Sequence, residues 1–326
     1  MRILITGGAG YIGSHAVKIF KQLGHDVIVV DNLSTGYKES VDDDVPFYHV
    51  SIHDHHKIET ILEDEKIEAV IHFAASSLVG ESVEDPLKYY YNNVEGTRTL
   101  VQAMVKKNVN KLIFSSTAAV YGEQKIQPID ETAALAPSNP YGETKRIIET
   151  MLSVLTHATS LRYVSLRYFN VAGAYHDGSI GEDHNPETHL IPNLLKATLN
   201  PDKAFTLYGT NHQTKDGTAV RDYVHVEDLV EAHKLALDYL VKTNQSDVFN
   251  LGTEQGYSVK EILDTTMAVT NQKIKVNYAD KRPGDPATLI ASHQKAYELL
   301  NWRPKRDLKT IIESAYRYYQ KKGEMS

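Results

Sequence analysis

The sequence predicts an α/β protein built on a doubly wound parallel sheet, joined to a smaller carboxyl-terminal α/β domain. Two observations predict this class. Short aliphatic runs alternate with stretches of helical periodicity, and a cluster of glycines follows the first aliphatic run directly. Strands that alternate with helices favour a parallel sheet with right-handed crossovers. We therefore expect a first domain over residues 1–172 and a second over 173–326, with a segment near 219–252 packing back on the first.

The composition is that of an ordinary globular protein. The chain has 326 residues, of which 41% are hydrophobic and 24% charged, and its net charge is −7. The negative charge argues against nucleic-acid binding, and no apolar run is long enough to span a bilayer. The absence of cysteine excludes disulfides and thiolate chemistry and suits a reducing cytosol. We expect a cytoplasmic protein with no nucleic-acid or membrane partner.

The elements alternate regularly through the first domain and less regularly in the second. Strands are predicted at residues 2–6, 26–30, 45–50, 69–73, 111–116 and 163–169, and helices at 11–23, 54–66, 86–107 and 141–157. Further on we expect a loop over 173–188, helices near 190–199, 226–242, 258–270 and 308–322, and a strand near 204–208. The second domain should pack against the carboxyl ends of the strands, where such sheets bind ligands.

A glycine-rich turn opens the first predicted helix. Gly7, Gly10 and Gly13 stand three residues apart, as in the dinucleotide-binding turn of a Rossmann fold. The first glycine allows a tight turn, the second lets the backbone approach a pyrophosphate, and the third lets the helix pack on the strand. The helix N-terminus offers free N–H groups to the phosphates. Such a turn also occurs in α/β proteins without a cofactor, so its context decides the interpretation.

A carboxylate at the end of the second predicted strand supplies that context. Asp31 can accept hydrogen bonds from both ribose hydroxyls, and it would repel a 2′-phosphate. No arginine follows it, since residues 32–35 are neutral. The sequence therefore predicts NAD rather than NADP as the cofactor.

A tyrosine and a lysine near the start of a later helix are candidates for acid–base chemistry. Tyr141 and Lys145 are four residues apart and share one helix face. A nearby ammonium and the positive nicotinamide ring would lower the pKa of the phenol from about 10 and make it a general base. The spacing alone is weak evidence, because Tyr318 and Lys322, interpreted as a solvated face, have it too. Tyr141 differs in following the strand whose end carries Thr117.

Motifs run nearly from end to end of the chain. They include TGGAGYIGSH at 6–15, HFAA at 72–75, FSSTAAVYG at 114–122, PYGETK at 140–145, LRYFN at 166–170, VRDYVHV at 220–226 and RPGD at 282–285. Together they resemble the extended short-chain dehydrogenase/reductases, and among these the UDP-galactose (UDP-glucose) 4-epimerases. The resemblance implies an NAD-dependent enzyme whose substrate is a UDP-sugar.

The resemblance also implies a mechanism. Tyr141 would remove the proton of the sugar 4-hydroxyl while hydride passes from C4 to NAD, and the 4-keto intermediate would turn and take the hydride back on its other face. Thr117 would hydrogen-bond the reacting oxygen, and Lys145 would hold the nicotinamide ribose and tune Tyr141. The related 4,6-dehydratases carry an Asp-Glu pair directly after the matching threonine. Ala118 and Ala119 stand there instead, which excludes that reaction.

By position, the resemblance assigns two sets of binding residues. The cofactor set is Gly7, Gly10, Tyr11, Ile12, Gly13, Asp31, Asn32, Ser51, Ile52, Phe73, Ala74, Ala75, Asn93, Ser115, Tyr141, Lys145 and Tyr168. The substrate set is Ser77, Thr117, Tyr141, Asn170, His189, Leu190, Tyr208, Arg221, Tyr223, Arg282, Asp285 and Leu289.

Four of these residues depart from the best-known members. Ser51 replaces an aspartate and His189 an asparagine. Ser77 replaces a lysine and Leu289 a bulky tyrosine, which leaves room for an N-acetyl group, so we expect turnover of both UDP-galactose and UDP-N-acetylgalactosamine. Two alternatives stay open: an epimerase acting mainly on UDP-N-acetylglucosamine or UDP-glucuronate, and a catalytically silent NAD-binding regulator.

A histidine-rich segment and two long helices complete the predictions. Residues 53–56 read His-Asp-His-His, but their spacing fits no zinc pattern and the mechanism requires no metal, so we interpret them as a hydrated loop and helix start. No metal site is predicted. The resemblance implies a homodimer formed through the helices at 86–107 and 141–157.

Overall fold

The computed structural model describes residues 1–200, 204–281 and 286–324 of the chain. Its strands are β1 (Arg2–Thr6), β2 (Asp26–Asp31), β3 (Phe47–His49), β4 (Ala69–His72), β5 (Lys111–Thr117), β6 (Arg162–Tyr168), β7 (Asn170–Ala172), β8 (Phe205–Tyr208), β9 (Val220–Arg221), β10 (Tyr223–His225), β11 (Asp247–Leu251), β12 (Tyr257–Ser258), β13 (Val276–Ala279) and β14 (Thr288–Leu289). Its α-helices are α1 (Tyr11–Gln22), α2 (His55–Asp64), α3 (Val79–Glu84), α4 (Pro86–Tyr89), α5 (Gly96–Lys106), α6 (Pro140–Ala158), α7 (Leu190–Leu199), α8 (Val226–Thr243), α9 (Val259–Thr270), α10 (Gln294–Leu300) and α11 (Leu308–Glu324).

Seven parallel strands form the main sheet, in the order β3-β2-β1-β4-β5-β6-β11. The chain runs outward from β1 to β3, then returns to the other side of β1 with β4 and continues outward again. The predicted doubly wound parallel sheet is confirmed. The order reverses between β1 and β4, and the carboxyl ends at such a switch point form the crevice in which these sheets bind ligands.

The sheet separates two hydrophobic clusters, and β1 contributes to both. Ile3 and Ile5 point into the cluster that contains Phe20 of α1 and Leu237 of α8. Leu4 points the opposite way, into the cluster formed by residues of α2, α5 and α6. Because successive side chains of a strand face opposite sides, a strand buried on both sides is apolar throughout. This explains why the first strand reads as an uninterrupted aliphatic run.

The second half of the chain forms smaller sheets around a third cluster. Strand β10 pairs with β7, β13 pairs with β8, and β9 lies between β12 and β14. Helices α7, α9 and α11 bury their apolar faces against one another in that cluster. Of these strands only β8, with four residues, was predicted. Most of the others have two or three residues and are too short to show a period.

The helix predicted over 86–107 contains an irregular centre. A π-helical segment, Tyr90–Glu95, joins α4 to α5. Single π turns inside α-helices occur often at functional sites. This one carries Asn93 beside the end of β4. In the described residues no helix is both long and apolar enough to cross a membrane.

Candidate active site

Close backbone contacts explain two of the three glycines in the turn after β1. A Cβ at Gly7, whose φ is +74°, would lie 2.6 Å from the backbone nitrogen of Ala74, and one at Gly13 would lie 2.0 Å from the carbonyl oxygen of Gly7. At Gly10 the nearest atom beyond the chain neighbours would be that same oxygen, at 3.4 Å. Protein packing therefore leaves Gly10 open to a ligand.

The start of α1 fits the same interpretation. Gly10 is its N-cap residue, and no side chain of the described residues caps the helix there. The first amides of α1, beginning at Tyr11 and Ile12, therefore stay available to a phosphate. The hydroxyl of Tyr11 is engaged elsewhere, because it donates to the carbonyl oxygen of Gly173 at 2.7 Å. These residues fit a dinucleotide pyrophosphate.

Asp31 lies at the end of β2, directly beside the glycine turn. Its two carboxylate oxygens accept hydrogen bonds from the backbone N–H groups of Ala9 at 2.9 Å and Leu33 at 2.8 Å. Each oxygen keeps a second lone pair for a ribose hydroxyl. The next side chain, Asn32, accepts from the backbone N–H of Ser34 at 3.1 Å, so it is held in the same loop.

The neighbouring strand ends bring the other predicted cofactor residues to the same edge of the sheet. Ser51 and Ile52 follow β3. Ile52 is buried against Gly96, where an added Cβ atom would lie only 2.7 Å from the isoleucine side chain. Phe73, Ala74 and Ala75 follow β4, directly across the switch point from the glycine turn.

Asn93 ties the end of β4 to α6. Its side-chain oxygen accepts from the backbone N–H of Ser76 at 2.8 Å. Its amide nitrogen donates to Ser76 O at 3.0 Å and to the hydroxyl of Thr144 at 3.1 Å. Thr144 immediately precedes Lys145, so this buried amide fixes the start of α6 relative to the cofactor crevice.

The first turn of α6 lies against the segment that follows β5. Asn139 caps the helix by accepting from the backbone N–H of Gly142 at 2.9 Å. A Cβ at Gly142 would lie 2.4 Å from Ala119 O, so only glycine allows this approach. The approach brings Tyr141 close enough to Thr117 for the threonine hydroxyl to favour the phenolate.

Lys145 lies one turn further along α6 and is 3% exposed. Its ammonium donates to the carbonyl oxygen of Ser115 at 2.9 Å and lies 4.8 Å from the ring centre of Phe114. The structure therefore brings Thr117, Tyr141 and Lys145 together at the carboxyl end of β5.

Burial dominates the ionisation of this pair. Burial lowers the pKa of Lys145 to about 7, against the opposing attraction of Glu149. Burial likewise raises the pKa of Tyr141, and the hydrogen bond from Thr117 reduces the rise. The prediction was a phenol whose pKa is lowered by the lysine ammonium and the nicotinamide ring together. The protein alone does not produce this, and the positive charge of an oxidised nicotinamide would be needed to favour the phenolate.

Behind the pair lies a polar contact that the sequence prediction missed. The hydroxyl of Ser115 is 3.3 Å from Nε2 of His233, whose ring packs 4.8 Å from that of Phe73 and 6.2 Å from that of Tyr168. Burial lowers the pKa of His233 to about 4, so the ring is neutral. Nothing local in the sequence marks His233, because its partner is 118 residues away.

A buried ion pair beneath α6 was also missed. Arg167 of β6 forms a bidentate pair with Glu149, with distances of 3.0 and 2.5 Å. Ser116 donates to the same carboxylate at 2.5 Å, and Arg167 donates to the hydroxyl of Tyr121 at 2.8 Å. The network joins α6 to β5 and β6 and so supports the helix that carries Tyr141. The one available signal was that Glu149 follows Lys145 at helical spacing.

Strand pairing brings several predicted substrate residues side by side. Arg221 of β9 lies opposite Leu289 of β14, and Asn170 of β7 lies opposite Tyr223 of β10. Leu289 is partly buried and packs on the small cluster of Val120, Tyr121 and Ile129, just beyond Thr117. Leu289 therefore lies next to the segment that follows β5, and the pairing with β14 brings Arg221 beside it.

The remaining substrate candidates lie on separate elements. Tyr208 ends β8 and is 40% exposed, Ser77 is exposed after β4, and Leu190 begins α7. The predicted contacts of Arg282 and Asp285 lie outside the described residues.

His189 belongs to a cluster that the sequence prediction did not identify. Its Nδ1 atom lies 2.8 Å from Oε1 of Glu182 and 3.3 Å from Oε1 of Glu187. Burial lowers the pKa of His189, but the two carboxylates outweigh it and raise the pKa to about 10. His184 lies against the same two oxygens. The signal in the sequence was the run E-x-H-x-x-E-x-H over residues 182–189.

The parallel sheet, the glycine turn and Asp31 define a dinucleotide-binding protein of the Rossmann class. Residues 3–252 match the model of the NAD dependent epimerase/dehydratase family, and the chain belongs to that family. The predicted resemblance and the predicted cofactor, NAD, are both confirmed by this match.

Relatives of known activity cover the whole chain. A UDP-glucose 4-epimerase from Lactobacillus helveticus is 52% identical over 321 residues, which is 98% of this chain and 97% of the relative. The crystal structure of a UDP-glucose 4-epimerase from Bifidobacterium longum, in complex with NAD+ and UDP, is 35% identical and superposes with a TM-score of 0.94 over 99% of each chain. That of a UDP-Glc/GlcNAc 4-epimerase from Campylobacter jejuni is 41% identical, with a TM-score of 0.86 over 98% of this chain and 99% of that chain.

Proposed function

We propose that the protein interconverts UDP-galactose and UDP-glucose by NAD-dependent epimerisation at C4. One observation supports this most directly: Thr117, Tyr141 and Lys145 meet at the carboxyl end of β5, across the crevice from the glycine turn. The full-length similarity to UDP-glucose 4-epimerases supports the same activity. A mainly N-acetylglucosamine-specific or uronate-specific enzyme, or a silent regulator, is not favoured.

Each of the three residues has a role that its surroundings support. Thr117 lies beside the phenol, and its single hydroxyl proton can turn to donate to the reacting oxygen once the substrate is bound. Tyr141 takes and returns the proton of the 4-hydroxyl as general base and acid. Lys145 is held by Ser115 O and is assigned to the nicotinamide ribose, where its charge would add to that of the oxidised nicotinamide in favouring the phenolate. NAD supplies the acceptor and donor of the C4 hydride.

The cofactor is held by residues that fit it sterically and electrostatically. The open face of Gly10 and the uncapped start of α1 accommodate the pyrophosphate. Asp31 accepts from the ribose hydroxyls and excludes a 2′-phosphate by charge. Ser51, Ile52, Phe73, Ala74 and Ala75 line the same edge of the sheet.

The UDP end of the substrate is assigned to the second half of the chain. Arg221 and Arg282 are the proposed partners of the pyrophosphate, because a guanidinium presents paired donors to phosphate oxygens. Tyr208, which ends β8, is the proposed partner of the uracil. The contacts of Arg282 and Asp285 rest on the sequence alone.

Elimination of water from the sugar is excluded by the residues after Thr117. Ala118 and Ala119 begin a short 3₁₀-helix, Ala118–Val120, and Ala118 is buried. A 4,6-dehydratase needs an acid and a base at these two positions, and methyl groups provide neither. The site is therefore limited to oxidation and reduction at C4.

The decisive experiment is incubation of the purified protein with UDP-galactose and identification of the product. We expect UDP-glucose to form without added cofactor, because NAD is regenerated in each cycle and need not leave. A denatured sample should release NAD rather than NADP. Bound NAD without turnover of any UDP-hexose would instead support the regulator.

A second activity on N-acetylated sugars is supported by the pocket wall. Leu289 packs toward Val120 and Tyr121, and Ser77 is exposed, so neither projects a long side chain toward the sugar. We propose that UDP-N-acetylgalactosamine is also a substrate. Its conversion to UDP-N-acetylglucosamine can be followed in the same assay.

We propose a homodimer in the cytoplasm. Leu87, Tyr91 and Val154 are 79%, 62% and 63% exposed on the two helical segments that the family resemblance assigns to the dimer contact. Light scattering of the purified protein measures the mass directly. A monomer at micromolar concentration would contradict the dimer without affecting the proposed reaction.

A further inference from the structure

Two histidines and two glutamates meet in the loop that leads from β7 into α7. Glu182, His184, Glu187 and His189 each offer one ligand atom, and these four atoms lie within 4.8 Å of one another. The side chains of Glu182 and Glu187 are only 5% and 4% exposed. We propose that this four-residue cluster, called here the loop cluster, binds a divalent transition-metal cation such as Zn²⁺.

The four nitrogen–oxygen distances within the loop cluster bracket the separation expected for tetrahedral coordination. Zn²⁺ binds imidazole nitrogen and carboxylate oxygen at about 2.0–2.2 Å, which places neighbouring ligand atoms about 3.4 Å apart. Nδ1 of His189 lies 2.8 and 3.3 Å from the Oε1 atoms of Glu182 and Glu187. Nδ1 of His184 lies 3.5 and 3.9 Å from the same two oxygens. Each nitrogen therefore faces both oxygens, at separations on either side of the tetrahedral value.

Two atoms of the loop cluster are buried without a hydrogen-bond partner in the described part of the chain. They are Nδ1 of His184 and Oε2 of Glu187. The nearest cation to that oxygen, the ammonium of Lys196, is 3.8 Å away, which is too far for a hydrogen bond. Buried polar atoms are normally satisfied, and each exception calls for an explanation. A bound cation explains both, because it completes the coordination of His184 and neutralises the buried carboxylates.

The competing occupant is a proton on His189. A protonated His189 faces both carboxylates, with Nδ1 at 2.8 Å from Glu182 Oε1 and 3.3 Å from Glu187 Oε1, but Nδ1 of His184 still forms no hydrogen bond in the described part of the chain. A metal uses both imidazoles and both carboxylates. Imidazole ligands select transition metals such as Zn²⁺ over Mg²⁺ and Ca²⁺, which prefer oxygen. Because metal and proton compete for the same nitrogen, binding of the metal releases the proton.

The position of the loop cluster indicates what a metal would do. The ring of His184 meets that of Tyr11, the first residue of α1, edge to face with centres 6.5 Å apart. The hydroxyl of Tyr319 in α11 donates to Glu182 O at 2.9 Å. A metal would therefore fix the loop before α7 against the helix whose N-terminus binds the cofactor phosphates. This inference concerns the stability of that contact. His189 is also one of the substrate candidates, so the test below measures metal binding and not turnover.

The test uses the full chain with its NAD, freed of metal by a chelator and titrated with Co²⁺ and Zn²⁺. We expect one equivalent of Zn²⁺ to bind in competition with a chromophoric chelator, and Co²⁺ to give the intense visible absorption of a tetrahedral ion. Glu187→Gln and His184→Asn should lower the affinity by roughly 10–100-fold or more, since even outer-shell partners contribute this much. The matched controls are Glu59→Gln and His55→Asn, whose side chains form a two-residue pair at 3.2 Å on α2. They should leave binding unchanged.

Three results would overturn the proposal. The first is less than roughly half an equivalent of Zn²⁺ bound by the wild type at micromolar free metal. The second is the weak spectrum of six-coordinate Co²⁺, and the third is equal loss of binding in the loop-cluster variants and their controls. Circular dichroism and NAD content verify that each variant is folded. If a variant fails to fold, the stoichiometry and spectrum of the wild type decide the question.

Discussion

Tyr141 is the residue on which the proposed chemistry depends most. Its hydroxyl contacts Thr117, and phenylalanine would fill the same space without a transferable proton. Tyr141→Phe should therefore lower kcat by ~10²–10⁴-fold or more, the usual contribution of a positioned base. Retention of NAD and an unchanged melting temperature serve as controls. Full activity of this variant would remove Tyr141 from the mechanism.

Leu289 tests the proposed acceptance of N-acetylated sugars. It packs beside Tyr121 and lies opposite Arg221 in the sheet, and we expect a larger side chain there to fill the space proposed for the N-acetyl group. Leu289→Tyr should depress kcat/KM for UDP-N-acetylgalactosamine while largely preserving that for UDP-galactose, because a pocket rejects added bulk more strongly than a ligand that fits. Both substrates are measured in both proteins. Equal loss of the two activities would mean that Leu289 serves packing alone.

Local pattern predicted some residues of the site and could not predict others. The glycines, Asp31 and the Tyr141–Lys145 pair are close in sequence, so their spacing carries the information. His233 reaches the site through its contact with Ser115, 118 residues away in the sequence. Arg167 does so through its contact with Glu149, 18 residues away. Such contacts depend on the tertiary fold, which no spacing rule reports.

At the level of elements, regular strands and helices were predictable and short irregular ones were not. The parallel strands are apolar on both faces, and the helices between them have a clear period. The π segment Tyr90–Glu95 keeps the helical period closely enough to be concealed within a predicted helix. The two-residue strands β9, β12 and β14 form only because tertiary pairing satisfies their backbone.

The N-cap of α6 links the stability of an element to catalysis. Asn139 accepts from Gly142 N at 2.9 Å, and Tyr141 lies within the same turn. Asn139→Ala should lower the free energy of unfolding by about 1 kcal/mol and also lower kcat, because the turn that positions the phenol is loosened. Asp54→Ala is the matched control, since Asp54 caps α2 by accepting from Lys57 N at 3.2 Å, remote from the chemistry. Denaturant titration and kcat are measured for both variants, and a similar fall in kcat in each would contradict a specific role for the α6 cap.

Over the whole molecule, the sheet joins both halves of the chain. Strand β11, from the second half, pairs with β6 and completes the sheet begun by β1. Helix α8 packs over the same face as α1 and carries His233 to the back of the active site. The domain boundary at residue 172 stays a prediction. Strand β11 and helix α8 follow that residue in the sequence, yet they pack with the sheet and core of the first half.

Buried neutral histidines in this shared core predict how the stability of the whole protein depends on pH. Burial lowers the pKa of His72 to about 3 and that of His233 to about 4, from about 6.5 in an unfolded chain. His72 lies between the hydroxyls of Thr6 and Thr97, at 2.7 and 2.9 Å, and His233 contacts Ser115 and Leu229 O. Between pH 6.5 and pH 4 the unfolded state therefore binds protons that the folded state does not. The stabilisation is complete above pH 6.5 and falls with decreasing pH, by up to about 2.7 kcal/mol per pH unit for two protons.

The measurement is denaturant unfolding between pH 7.5 and pH 5, where aspartate and glutamate side chains remain largely ionised in both states. His233→Gln removes one of several buried imidazoles, since burial also lowers the pKa of His15 to about 4 and that of His225 to about 3. The slope of stability against pH should therefore be smaller in the variant than in the wild type by about 1.4 kcal/mol per pH unit at the limit. The exposed His56 provides the control, and His56→Gln should reproduce the wild-type slope. The slope rather than the absolute stability carries the test, because the substitution also removes packing against Phe73 and Tyr168. An unchanged slope in His233→Gln would show that His233 takes up its proton in the folded protein, and hence that its ring is not held neutral by burial.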